Sequence, residues 1–153
     1  MKSRIDILRA SPGSVQAMMA LQTYVNTAGL ERAMLELVKL RASQINHCAY
    51  CIDMHTKDAR AAGETEQRLY LLNAWREAPF YSDRERAALE WTEALTLLTG
   101  GFVPDAVYES VRQHFTEEEL VKLSMAIVAI NGWNRLSVAF RAEAGTYQPR
   151  KVA

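Results

Sequence analysis

Two cysteines three positions apart, Cys48 and Cys51, stand in the stretch Asn46-His47-Cys48-Ala49-Tyr50-Cys51-Ile52-Asp53-Met54-His55. They are the only cysteines in a chain of 153 residues. Thiols at this spacing can close a reversible disulfide. His55, four positions beyond Cys51, falls on the same helical face. A thiol attacks only as a thiolate, and a free cysteine, with a pKa of about 8.5, is mostly protonated near neutrality. A helix N-terminus stabilises the anion through unpaired backbone amides and the macrodipole. His55 can take the proton directly or through water, and an acid can orient it or act as the final base. Once a thiolate meets a peroxide it becomes a sulfenic acid, which a neighbouring thiol converts to a disulfide with loss of water. An external dithiol then reopens the disulfide by exchange.

Which thiol attacks is left open by spacing. The histidine favours Cys51. The helix dipole favours Cys48, which is nearer the terminus and expected to be the more exposed. Cys48, Cys51 and His55, with His47, also offer thiolate and imidazole ligands. A continuous helix presents them poorly at the four tetrahedral points of a structural zinc, so no metal is expected. No glycine-rich dinucleotide fingerprint is present, and no cofactor is expected.

The elements that must carry these residues read as all helix. A first helix opens at Pro12 or Ser14 and ends near Gly29. A second starts near Leu30 with Met34, Leu37, Val38 and Ile45 on its apolar face. The cysteines begin a third, which Gly63 ends as a left-handed cap. Thr65 caps a short helix to about Trp75, before Pro79. Ser82 with Glu85, and Thr116 with Glu119, are capping boxes. The first opens a helix to about Leu98 and the second a long helix fading near Gly145. Gly100-Gly101 is a turn, and a short helix follows from Asp105 to Gln113. The spacing predicts a compact all-α bundle of about six to seven helices. It forms one domain over residues 1–153, with a core from about 15 to 145, a loose arm over the first ten residues and a disordered tail from Pro149.

Composition narrows the setting. Eighteen basic residues balance eighteen acidic ones, which gives no electrostatic reason to expect a nucleic-acid or membrane partner. No apolar run approaches the roughly 20 residues that cross a bilayer. The N-terminal stretch carries an early acid and lacks the apolar segment of a secretory signal, so a cytoplasmic location is expected. There, a close cysteine pair is more often catalytic or metal-binding than structural.

The pattern Glu36, eleven residues, Cys48-x-x-Cys51, three residues, His55 resembles the alkylhydroperoxidase D and carboxymuconolactone decarboxylase superfamily, in its single-domain Cys-x-x-Cys branch. The flanking stretches Leu37–His47 and Met54–Lys57 resemble it too, as do Tyr81–Leu89 and Trp133-Asn134-Arg135. The likeness covers about residues 15 to 145. It implies an all-helical fold and a homo-oligomer (dimer, trimer or hexamer). It implies that Cys51 attacks the peroxide, Cys48 resolves it, His55 relays a proton and Glu36 is the base. The decarboxylases of the superfamily lack the cysteine pair, which argues against their activity here. Where the peroxidase type carries a histidine just before the second cysteine, this chain has Tyr50, a phenol that does not titrate near neutrality.

Outside that motif, Glu36 stands four after Arg32, and a surface ion pair would also explain it. Tyr50, His47, Trp133 and Asn134 are candidate pocket residues. The reading is a thiol-dependent peroxidase acting on hydrogen peroxide or organic hydroperoxides. Its reductant would be an external dithiol, lipoyl-linked or thioredoxin-like. The alternative is a redox sensor, disulfide oxidoreductase or oligomeric scaffold without efficient peroxidase turnover.

Overall fold

The computed structural model describes residues 2–149. Its helices are α1 (Ile7–Ala10), α2 (Pro12–Thr27), α3 (Arg32–Ile45), α4 (Ala49–Ala61), α5 (Glu66–Tyr70), α6 (Asp83–Thr96), α7 (Asp105–Arg112) and α8 (Glu117–Phe140). Single 3₁₀ turns at Leu72–Ala74 and Leu98–Gly100 complete the set. The all-α class is as expected, and the helix count exceeds six to seven because α1 and α5 are one-turn pieces.

Local chemistry explains most boundaries. Pro12 opens α2, where its missing N–H costs nothing. Both capping boxes form, on α6 and α8. Gly63 takes a positive φ of 97° after α4. The helix expected from Thr65 to Trp75 is broken instead. Thr65 caps α5 through the Arg68 N–H, and the chain then tightens into the 3₁₀ turn at Leu72.

α8 ends earlier than Gly145. Arg141 adopts the left-handed conformation (φ 58°), and the Ala142 N–H returns to the Ser137 carbonyl at 2.9 Å. That is the hydrogen-bond pattern usually built on glycine. Residues 4–10, expected as part of a loose arm, are tied down. Asp6 caps α1, the Arg4 N–H donates to the Phe140 carbonyl at 3.0 Å, and the Arg4 guanidinium reaches the Ala139 carbonyl at 3.0 Å. The disorder expected from Pro149 concerns residues 150–153, which lie outside the described ones.

α3 is the axis of the fold. Every residue from Met34 to Leu40 is buried, so this helix is covered on all sides. Met34 and Val38 meet Ala88, Trp91, Leu123 and Ile127 of α6 and α8. Leu37 and Leu40 meet Ala59, Leu72, Trp75 and Leu89 on another side. Ala42 packs with Cys48, Cys51 and Ile130. The cysteine pair is therefore seated where α3, α4 and α8 converge.

Candidate active site

The bend between α3 and α4 delivers the cysteines. His47 reverses the chain with φ 54°, and the Cys48 N–H bonds back to the Ser43 carbonyl at 3.0 Å. Cys48 is then the N-cap of α4, and its sulfur accepts the Cys51 N–H at 3.4 Å. Asn134 of α8 locks the bend. Its side-chain amide donates to Ser43 Oγ at 3.0 Å, and its oxygen accepts the Asn46 amide at 2.9 Å. Asn134 is fully buried behind the sulfurs and lines neither cavity described below, so its expected pocket position becomes a clamp.

The two sulfurs lie 2.7 Å apart, within hydrogen-bonding reach of each other. Both residues are 1% exposed, so Cys48 is not the more accessible of the two by surface area. The pair sheds its first proton easily. The Cys48 thiol is held down at about 6, first by the Cys51 hydrogen bond. The Cys51 backbone N–H, Ser137 and Asn134 add to this against the cost of burial. Cys51 is pushed up, first by donating to Cys48 and then by burial and the Cys48 charge. The N-cap position and these donors favour the anion on the Cys48 sulfur. Ser137 Oγ stands 3.8 Å from Cys51 Sγ.

One turn along α4, His55 is buried, and its Nδ1 lies 2.8 Å from Glu36 Oε2. Glu36 Oε1 accepts Lys39 Nζ at 2.9 Å. Burial alone would push the Glu36 carboxyl up. The His55 hydrogen bond and the Lys39 charge outweigh it and hold the carboxyl down at about 2. Glu36 is thus no surface partner of Arg32. An ion pair this deep is retained only if both partners are satisfied, and here Lys39 and His55 together satisfy the carboxylate. Neither Lys39 nor Ser137 was singled out from sequence. The signal for Ser137 was available, since Asn134 and Ser137 fall four and seven residues after Ile130, on the α8 face that touches the cysteines.

Two cavities flank the sulfurs. One of about 680 Å³ is lined by Cys51, Glu36, Lys39, Met54, His55 and Trp133, among others. One of about 800 Å³ is lined by Cys48, His47, Ala49 and Arg141, among others. Tyr50 and Ser137 border both. Burial and the negative charge of the nearby cysteine pair push the Tyr50 phenol up, so it stays a neutral hydrogen-bonding group. Of the expected pocket residues, Tyr50, His47 and Trp133 therefore line a cavity.

Ligating atoms of Glu36, His55 and Asp58 lie within 4.8 Å of one another. They are already engaged: Lys39 and His55 occupy Glu36, and the Tyr147 hydroxyl donates to Asp58 at 2.7 Å. Cys48, Cys51, His55 and His47, the zinc set considered from sequence, do not form such a group among the described residues.

A helical bundle with a Cys-x-x-Cys pair at a helix N-terminus and a buried Glu–His pair beside it defines a redox-capable helical fold of the alkylhydroperoxidase D type. The chain belongs to the carboxymuconolactone decarboxylase family, whose sequence pattern matches residues 12–94. It is 48% identical to the uncharacterised protein YdfG of Bacillus subtilis (strain 168) over 139 residues, 91% of this chain and 95% of that one. A crystal structure of a protein of unknown function from Agrobacterium tumefaciens superposes with a TM-score of 0.92 at 46% identity, covering 95% of this chain and 100% of that chain. That protein is provisionally assigned to antioxidant defence as an AhpD protein. The debrominase Bmp8, at 16% identity and a TM-score of 0.82 over 91% of this chain and 75% of that chain, shares the fold alone.

Proposed function

We propose that this chain is a thiol peroxidase that reduces hydrogen peroxide or an organic hydroperoxide through a Cys48–Cys51 disulfide cycle. The observation that carries the reading is the placement of the pair: two sulfurs 2.7 Å apart at a helix N-cap, with Cys51 opening onto the cavity that holds Glu36 and His55. The provisional antioxidant assignment of the Agrobacterium relative supports it.

In this reading a hydroperoxide enters beside Cys51. Cys51 passes its proton to Cys48 or, through water, to His55. Its sulfur then attacks the distal peroxide oxygen. The O–O bond breaks, the proximal oxygen leaves as alkoxide or hydroxide and takes a proton, and Cys51 becomes a sulfenic acid. Cys48, stabilised as a thiolate at the N-cap, attacks that sulfur and releases water. A carboxylate held near pKa 2 is a poor final base. Glu36 therefore orients His55, while His55 moves the proton.

A second assignment exchanges the sulfurs, and the lower pKa of Cys48 favours it. Sulfenic-acid trapping in the single-serine variants decides between them. An adduct on Cys51 in Cys48→Ser supports the reading given, and an adduct on Cys48 alone in Cys51→Ser reverses it. A redox sensor would oxidise once and stop, whereas a peroxidase turns over with a dithiol donor.

Among the described residues no helix is long and apolar enough to cross a membrane, and a cytoplasmic setting belongs to the proposal. So does a homo-oligomer. Val121 and Val128, seven apart on α8, stand more than half exposed and offer a face for a second copy.

A further inference from the structure

The disulfide cycle needs a proton that the cysteine pair does not supply. Above a pH of about 6 the pair enters as one thiolate and one thiol. With ROOH these give a disulfide, ROH and hydroxide. Releasing water instead takes one proton from solvent for each peroxide consumed. The demand falls where the O–O bond breaks, on the side of Glu36 and His55. His55 can hand a proton to the leaving oxygen, but it is buried and has to be resupplied. Glu36, held down at about 2, has no proton to give.

A second carboxylate stands beside this pair. Asp58, three residues after His55 on α4, lines the same cavity and is partly exposed. An oxygen of Asp58, an oxygen of Glu36 and a ring nitrogen of His55 lie within 4.8 Å of one another. A single water spans such a gap. The chain beyond α8 fixes this carboxylate. Asp53 and Lys57, one turn apart on α4, seat it from below. The Gly145 N–H donates to Asp53 Oδ2 at 3.0 Å. Lys57 Nζ donates to the same oxygen at 2.9 Å and to the Tyr147 carbonyl at 3.0 Å. The Tyr147 hydroxyl then reaches Asp58 Oδ1 at 2.7 Å. Burial pushes the Tyr147 phenol up to about 12, and its bond to Asp58 adds to this, so it remains a donor. One carboxylate oxygen is thereby held, and the other is left to exchange protons.

We propose that Asp58 carries protons from solvent to His55, and that Tyr147 positions Asp58 for this. The proposal rests on the peroxidase reading and adds its proton supply. Solvent gives a proton to the Asp58 carboxylate, and Asp58 passes it through water to His55. As the Cys51 sulfur bonds to the distal oxygen, the O–O electron pair goes to the leaving oxygen, which takes the proton from His55. Asp58 ends each transfer as the carboxylate it began as. Neither residue touches the reacting atoms: Asp58 acts through His55, and Tyr147 through Asp58.

The test compares two reactions of the reduced full-length protein at one neutral pH. Oxidation by hydrogen peroxide consumes a proton, whereas alkylation by iodoacetamide consumes none. Asp58→Ala should slow oxidation roughly tenfold and leave alkylation at the wild-type rate. Added formate, which fits the space the side chain vacates, should return most of the lost rate in proportion to its concentration and leave the wild type unmoved. Tyr147→Phe should show the same pattern with a smaller loss. A disturbed thiol pair would instead slow both reactions and ignore formate. Wild-type oxidation in Asp58→Ala, a loss that formate does not recover, or an equal loss in alkylation would overturn the relay while a fast wild type leaves the peroxidase reading standing. A wild type that hydrogen peroxide oxidises no faster than a simple thiol would overturn that reading and the relay with it.

Discussion

The two sides of the cysteine pair are built differently. On the Cys51 side, Lys39 and His55 each hydrogen-bond to the Glu36 carboxylate, and all three are buried. On the Cys48 side, the neighbours are exposed chain, a helix end and the side chains of Lys2, Arg141 and Glu143. A buried network is rigid and costly to disturb, because any orphaned member is left charged without solvent. An open rim tolerates change and meets varied partners. In the proposed cycle the contrast suits the Cys51 side to proton handling and the Cys48 side to exchange with an external thiol, with only Ala49 and Tyr50 between the two cysteines.

The sharpest way to break this contrast is to remove either sulfur. Cys51→Ser should abolish peroxide turnover. Cys48→Ser should consume about one equivalent of peroxide per subunit and then stop, as counted by residual peroxide and mass spectrometry. Equal residual turnover in both variants would erase the distinction between the sides.

The buried network comes next. Glu36→Ala strands Lys39 and frees His55, and should cost about 3–5 kcal/mol in denaturant unfolding. His55→Asn keeps the cavity and should lower the oxidation rate by roughly 100-fold, with a smaller loss of stability. The pH dependence carries a definite sign. Glu36 falls from an ordinary 4.5 to about 2 on folding. Its contribution to stability is complete above pH 4.5 and is lost as pH falls through 2. Glu36→Gln should flatten that stretch of the acid unfolding profile.

The pair itself gives a smaller, more specific signature. Alkylation of reduced protein should follow a thiol pKa of about 6, with thiolate present above it and reaction slowing as pH drops below. Cys51→Ser removes the leading hydrogen bond to Cys48 and should move that midpoint. Least affected should be Tyr50→His, which restores the imidazole of the related peroxidases. It should alter the peroxide rate by no more than about tenfold, about 1.4 kcal/mol of barrier.

Much of this was legible in the chain. Capping boxes are local chemistry, so Ser82, Glu85, Thr116 and Glu119 announced two helices correctly. The Cys-x-x-Cys spacing and the family motif pointed to Glu36 and His55, which the fold brings to 2.8 Å. What sequence hid was tertiary. A lysine three after Glu36 reads as a solvated neighbour, and only the packing of α3 on all sides reveals Lys39 as a buried counter-charge. An arginine carries no signal for a left-handed cap, so the end of α8 was misread toward Gly145. The N-terminal segment has little apolar patterning, and its tie to Phe140 is through backbone groups that any sequence supplies. The separate openings of two sulfurs on one helical turn depend on α8 and the chain ends, none of which the motif contains.

The central claim is that Cys51, beside the Glu36–His55 pair, is a peroxide-reactive sulfur whose partner closes the disulfide. Stopped-flow oxidation of reduced protein by hydrogen peroxide and by an organic hydroperoxide, across pH, addresses it directly. The account predicts fast formation of an intramolecular disulfide, controlled by a thiol pKa near 6 and faster than that of a simple thiol. Oxidation at the simple-thiol rate, with no disulfide formed, would contradict it.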